Sequence, residues 1–203
     1  MEFIKIRASW NDYPESLYRV MLVDKDITLE RLAFALKILF KTQFEHLSQF
    51  KVGRTFYVPS DEMDDYDFEN KVYDWEKVTL LNALEEKKFL TFAYDLGEGY
   101  EFLIKKISQK TYELPIKASV LLLEAKGDGI FEDNISCLED YLEGKIDEDS
   151  LNSYDEDFQN DYDFDVKFDI DYINRMLIQG IKYFVSWEYD EENNEYLDSS
   201  YAL

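Results

Sequence analysis

Residues 3–10 (FIKIRASW) alternate apolar and polar positions with period two, and residues 16–24 (SLYRVMLVD) follow a turn at Asn11, Asp12 and Pro14. Side chains two apart share one face of an extended chain, so the pattern predicts a strand pair around that turn. The period then changes. Leu29, Leu32, Ala33, Leu36, Leu39 and Phe40 recur at three- and four-residue steps, the spacing of one helix face, and Thr28 stands where an N-cap belongs. Alternation resumes over residues 44–58 around Gly53-Arg54, which predicts a second hairpin before Pro59. Residues 60–70 read as an acidic loop, and Thr79 as the cap of a helix reaching Lys87. Residues 88–95 and 100–108 read as strands joined across Gly97 and Gly99, glycines that supply the positive φ of a tight turn.

Toward the end, residues 118–125 predict a buried strand, and residues 136–143 a short helix closed by Gly144. Residues 145–167 are acidic and aromatic without a period. Helical spacing returns over residues 168–181, and residues 182–188 suggest a last strand. Hairpins and helices without regular β-α-β alternation favour an α+β fold: a mixed, mainly antiparallel sheet with helices packed on one face, plus acidic surface segments. One domain over residues 1–188 is expected, with 145–167 as an acidic insert or flap and 189–203 as a mobile acidic tail.

Composition sharpens this picture chiefly through charge. The chain has 203 residues and a net charge of −23, and the acidity is segregated. Residues 128–171 hold 17 acids against Lys145 and Lys167; residues 61–69 and 188–198 hold six acids each and no base. Those stretches carry −27 between them and the rest of the chain +4. Such surfaces disfavour direct binding to a nucleic-acid backbone and suit a basic protein partner, with imitation of nucleic-acid charge as one form of it; the plainer reading is a solvated, solubilising face. No apolar run approaches the roughly 18 residues of a membrane span. The first residues lack a basic cap before an apolar core, so a cytoplasmic protein is expected. Cys137 is the only cysteine and excludes an internal disulfide. Its acidic neighbours Glu132, Asp133, Glu139 and Asp140 oppose a reactive thiolate, so it reads as a small apolar filler.

Several segments in order resemble the plasmid pRiA4b ORF-3-like proteins. The family's W-R strand is matched by Tyr18-Arg19, its H-L-x-x-F segment by His46-Leu47-Ser48-Gln49-Phe50, and its Y-D-F-G-D-x-W-x-H motif by residues 94–102 (YDLGEGYEF). Its P-P-E-D segment is matched by Ile130-Phe131-Glu132-Asp133. Phe102 replaces the motif's histidine, Tyr100 its tryptophan, and Ile130-Phe131 its two prolines. The resemblance implies a compact α+β fold and association with plasmids and mobile elements, with no activity to carry over.

Candidate chemistry centres on carboxylates. Asp95, Glu98 and Glu101 surround the glycine turn, and Asp95, Glu98, Glu132 and Asp133 are candidate catalytic groups, joined by His46, the single histidine. Asp95, Glu132 and Asp133 are the candidate metal ligands, because hard cations take oxygen donors and water activation needs a nearby base. The structural alternatives are that Asp95 caps turn amides, that Glu132-Asp133 orders the next helix start, and that His46 shares a strand face with Ser48 and Phe50. Asp161-x-Asp163-x-Asp165 imitates a calcium loop, but Val166 stands where that loop needs glycine and Tyr172 where it needs glutamate. Neither glycine pair continues as a phosphate loop, and no cofactor is expected. Asp157, Asp161, Tyr162, Asp163, Phe164 and Asp165 interleave aromatic anchors with charge and are candidate partner-binding residues. Two functions follow: a non-enzymatic interaction protein with an acidic aromatic surface, or a carboxylate-based, divalent-cation-dependent hydrolase.

Overall fold

The structure, a computed structural model, describes residues 2–67, 69–85, 88–108, 110–113, 118–147, 169–180, 183–190 and 195–202, with residue 85 and everything from 179 onward described by backbone alone. The elements are β1 (Glu2–Trp10), β2 (Tyr18–Asp24), α1 (Leu29–Leu39), β3 (Ser48–Val52), β4 (Thr55–Val58), β5 (Lys71–Asp74) and α2 (Leu80–Glu85). They continue with β6 (Phe89–Tyr94), β7 (Tyr100–Lys106), β8 (Tyr112–Glu113), β9 (Val120–Lys126), α3 (Ile135–Leu142), α4 (Ile170–Gly180), β10 (Tyr183–Asp190) and β11 (Glu195–Ala202).

The main sheet runs β5-β4-β3-β6-β7-β1-β2-β9, and β8 extends it by pairing with Glu2 and Phe3 of β1, beyond the stretch that β7 covers. Every pairing is antiparallel except β4 with β5. The three expected hairpins therefore form, inside one mixed α+β sheet. Two details differ. Residues 44–47 leave the second hairpin because Phe44 adopts φ +69°, outside the extended region, so His46 precedes β3 and shares no strand face with Ser48 and Phe50. The acidic loop contains a 3₁₀ turn over Ser60–Asp65, which returns the chain so that Lys71–Asp74 adds in parallel; four residues are too few to show a period in the sequence.

Pleating sends Ile4, Ile6, Ala8 and Trp10 of β1 and Tyr100, Phe102 and Ile104 of β7 to one face, where α1 covers them with Leu29, Leu32, Ala33, Leu36 and Leu39. Thr28 caps α1 as its side chain accepts from the Arg31 amide. Burial of each large apolar side chain contributes about 1.5–3 kcal/mol before entropy is charged against it. α4 buries Ile173 and Leu177 on the same core, and its Asn174 amide bonds both backbone groups of Leu122 at 2.8 and 3.0 Å, fixing the helix to β9. β10 and β11 form a separate two-stranded antiparallel sheet, so residues 195–202 are paired where the sequence suggests a tail. Among the described residues, no helix is long and apolar enough to cross a membrane.

Candidate functional site

Three connections meet at one end of this core: residues 40–47 after α1, the β6–β7 turn, and residues 127–134 between β9 and α3. Backbone bonds tie them together, from Ile130 N to Phe40 O and from Asp95 N to Leu47 O, each 3.0 Å. Beneath them lies Arg19, fully buried on β2. Its guanidinium donates to the carbonyls of Leu39, Tyr18, Lys126 and Asp128 at 2.6–2.9 Å and stacks over Phe40, so a single cation holds the end of α1 to the turn after β9. Carbonyls at a helix C-terminus carry partial negative charge, which is how a buried guanidinium is tolerated there. Lys41 reinforces the junction through Asp128 at 2.6 Å.

Backbone strain gathers at the same place. Lys41, Phe44, Asp95 and Asp133 hold φ between +51° and +69°, and all four lie on these connections. Each such non-glycine residue costs on the order of 1–3 kcal/mol and persists only where its surroundings dictate it.

The strain places three side chains together. His46 Nδ1 lies 3.8 Å from Asp95 Oδ1; its Nε2 lies 3.5 Å from Glu132 Oε2 and 3.1 Å from Asp133 Oδ1. One donor atom each from His46, Asp95 and Glu132 fall within 4.8 Å of one another. Asp95 is only 5% exposed, and the Glu132 side chain 9%. Asp95 Oδ1 accepts from the amides of Gly97 and Glu98, and Glu132 Oε1 accepts from the Gln43 amide at 2.6 Å and the Tyr94 hydroxyl at 2.9 Å. Their second oxygens, Asp95 Oδ2 and Glu132 Oε2, are sealed from solvent and have no hydrogen-bond partner. Two half-satisfied buried carboxylates side by side are costly unless a positive group completes them.

Around them, burial and then the Glu132 charge push the Tyr94 phenol far above its ordinary range, keeping it a donor to Glu132. Lys37, whose Nζ lies 5.4 Å from the centre of the Tyr94 ring, is lowered by burial against the opposing pull of Glu62 and Glu132. It sits between the site and the acidic 3₁₀ turn.

The remaining predicted residues divide. Asp133 reaches the site with its side chain 73% exposed. Glu98 is turned to α3, where its Oε2 accepts from the Ile135 amide, and with Asn134 as N-cap it orders the helix start that the sequence suggests for Glu132-Asp133. Asp95 does cap the turn amides, with its other oxygen left over. Glu101 lies on the opposite sheet face, paired with Lys51. Cys137 is buried in α3, its thiol raised by desolvation and then by Asp140, as suits a filler. Asp157, Asp161, Tyr162, Asp163, Phe164 and Asp165 lie outside the described residues. Sequence reasoning missed Gln43, Lys37 and the clamp made by Arg19; the signal for the last was an arginine inside an otherwise apolar strand. Phe102, where the related motif has histidine, is fully buried and stacks on Phe40 with ring centres 3.9 Å apart, so its position is filled by packing.

Three of the four segments that resemble a known family reach these connections, and the family's model, described as plasmid pRiA4b ORF-3-like protein, matches residues 2–176. The chain belongs to that family. Among solved structures, a protein of unknown function from Methanosarcina mazei Go1, MM3350, superposes with a TM-score of 0.63 at 16% identity, covering 84% of this chain and 95% of that one. At that identity the likeness establishes the shared fold. Comparison with curated proteins finds no match.

Proposed function

We propose that this family member binds one divalent cation through His46, Asp95 and Glu132, and that the cation activates a water for hydrolysis. The observation that carries the reading is the pair of buried carboxylate oxygens that accept no hydrogen bond beside the only histidine. Donors around an ion at ~2.0–2.2 Å stand roughly 3–4 Å apart, so a set spanning 4.8 Å closes on a cation with a small movement. One imidazole with two carboxylates suits Zn²⁺, Mn²⁺ or Fe²⁺ better than Ca²⁺ or Mg²⁺, which favour all-oxygen sets. Three protein ligands leave a coordination position for water, and exposed Asp133 stands at the mouth as its base. The test is calorimetric titration of chelator-treated protein with Zn²⁺, Mn²⁺, Mg²⁺ and Ca²⁺, beside Asp95→Asn and a hydrolysis screen over ester and amide substrates. Uptake of one ion per chain, lost in the variant, is expected; no uptake of any ion refutes the site, and uptake without turnover refutes the hydrolytic step.

A second reading has its own support: a cytoplasmic, non-enzymatic interaction protein, linked to plasmids or mobile elements, whose acidic surface meets a basic protein. Among the described residues, Asp61, Glu62, Asp64, Asp65 and Asp67 form no salt bridge, Glu62 alone feeling the more distant charge of Lys37, and of that segment only Glu69 is bridged, to Arg54. The folded chain leaves that charge available to a partner. Co-precipitation with basic proteins at low and high salt tests it; an interaction that ignores salt counts against it.

A further inference from the structure

The edges of the cation site are unusually apolar for so charged a chain. Phe44 is 40% exposed, Leu47 58% and Leu96 43%, and each adjoins a proposed ligand: Phe44 stands two residues before His46, Leu47 directly after it, and Leu96 directly after Asp95. The bond from Asp95 N to Leu47 O brings the second and third of these onto neighbouring backbone. Phe44 is held by the Phe34 ring, 5.3 Å away between centres, and lies under Lys37 Nζ, so its exposure belongs to an ordered ring. Large apolar groups beside the ligands of a polar site, two of them on bonded neighbouring backbone, mark a contact surface.

The frame around this trio is negative. Glu45, Glu98 and Asp133 are exposed on the same connections, and beyond Lys37 lies the unpaired acidic turn of residues 60–65. Carboxylates in that arrangement repel phosphate esters, nucleic-acid backbone and anionic lipid, and a second copy of a chain with net charge −23 is repelled likewise. An apolar side chain flanked by cationic ones satisfies both parts of the surface. We propose, resting on the cation-site reading, that the ligand presented to this site is a polypeptide segment in which an apolar side chain neighbours lysine or arginine. Its apolar side chain covers Leu47, Leu96 and Phe44, and its cations face Glu45, Glu98 and Asp133.

Fluorescence anisotropy with a labelled peptide alternating leucine and arginine tests this, with an alternating leucine and glutamate peptide and a single-stranded oligothymidine as comparators. The zinc-loaded protein is expected to bind the first and neither comparator, and to weaken about tenfold as salt is raised well above physiological strength. Leu47→Ser with Leu96→Ser, two exposed changes that leave the ligands in place, is expected to lose at least about tenfold in peptide affinity, the loss of roughly 1.4 kcal/mol of apolar contact, while zinc uptake is unchanged. Equal binding of the oligonucleotide, or peptide binding indifferent to the two serines, overturns the inference. Protein that takes up zinc yet ignores the peptide overturns it too and leaves the cation site standing. Protein that takes up no metal removes the cation site, and with it this inference.

Discussion

Glu132→Gln separates a cation site from an ordinary salt-bridge network, because the two predict opposite signs. The glutamine oxygen keeps the bonds from the Gln43 amide and the Tyr94 hydroxyl, while an uncharged amide takes the place of the sealed Oε2. Without metal, the wild-type protein holds two carboxylates with donor atoms within 4.8 Å. At an effective dielectric of about 20 their repulsion is on the order of 3 kcal/mol, and partial compensation by neighbouring groups leaves roughly 1–2 kcal/mol. The variant should therefore melt about 2–8 °C above wild type in EDTA, at some 2–4 °C per kcal/mol for a chain of this size. Metal reverses the order. At a free concentration near one hundred times Kd, wild type gains about 2.7 kcal/mol, or roughly 5–10 °C. A hundredfold weaker variant gains about 0.4 kcal/mol, near 1 °C. Differential scanning calorimetry in EDTA and in excess Zn²⁺ or Mn²⁺ reads all four values. A variant less stable than wild type in EDTA, or a metal-induced shift equal in both proteins, refutes the reasoning.

Three further outcomes follow from the framework that holds the site. Arg19→Met removes the donor shared by the carbonyls of Leu39, Tyr18, Lys126 and Asp128, and is expected to cost about 3–5 kcal/mol by chemical denaturation; a loss under about 1 kcal/mol contradicts the clamp. Gly127→Ala places a Cβ 2.6 Å from the Ser16 carbonyl oxygen and 2.8 Å from Leu17 Cδ1, at φ +72°, so a loss of about 2 kcal/mol or more is expected, whereas Gly53→Ala, at φ +59° with open space around it, should lose only about 1 kcal/mol. Tyr94 and Tyr100 are both raised, first by burial, so their un-ionised forms are favoured in the folded state. That contribution is complete below the unfolded phenol value of about 10 and is lost as pH climbs beyond it; absorbance titration should find these phenols ionising only as the protein unfolds.

The sequence by itself determined most of the elements and the three hairpin pairings, β1 with β2, β3 with β4 and β6 with β7. Period-two stretches from Phe3 and from Phe89 became β1 and β6, Thr28 capped α1, and Gly99 took the positive φ its turn required, because these features depend on neighbours within a few residues; Gly97 did not, and Asp95 holds the other left-handed position of that turn. The segregation of charge was legible for the same reason, as was the family, whose motifs lie along the chain. Tertiary structure alone decided the site. His46 stands 49 positions from Asp95 and 86 from Glu132, and nothing local states that a loop distorted at Phe44 will carry it to both. Nor does the chain announce that Glu98 turns to α3 and Glu101 to the far face, or that a buried arginine fastens the end of α1 to the turn after β9. Periodicity is written between near neighbours, whereas convergence depends on where a closed sheet and a packed helix bring distant loops, and that is settled only once the whole core has formed.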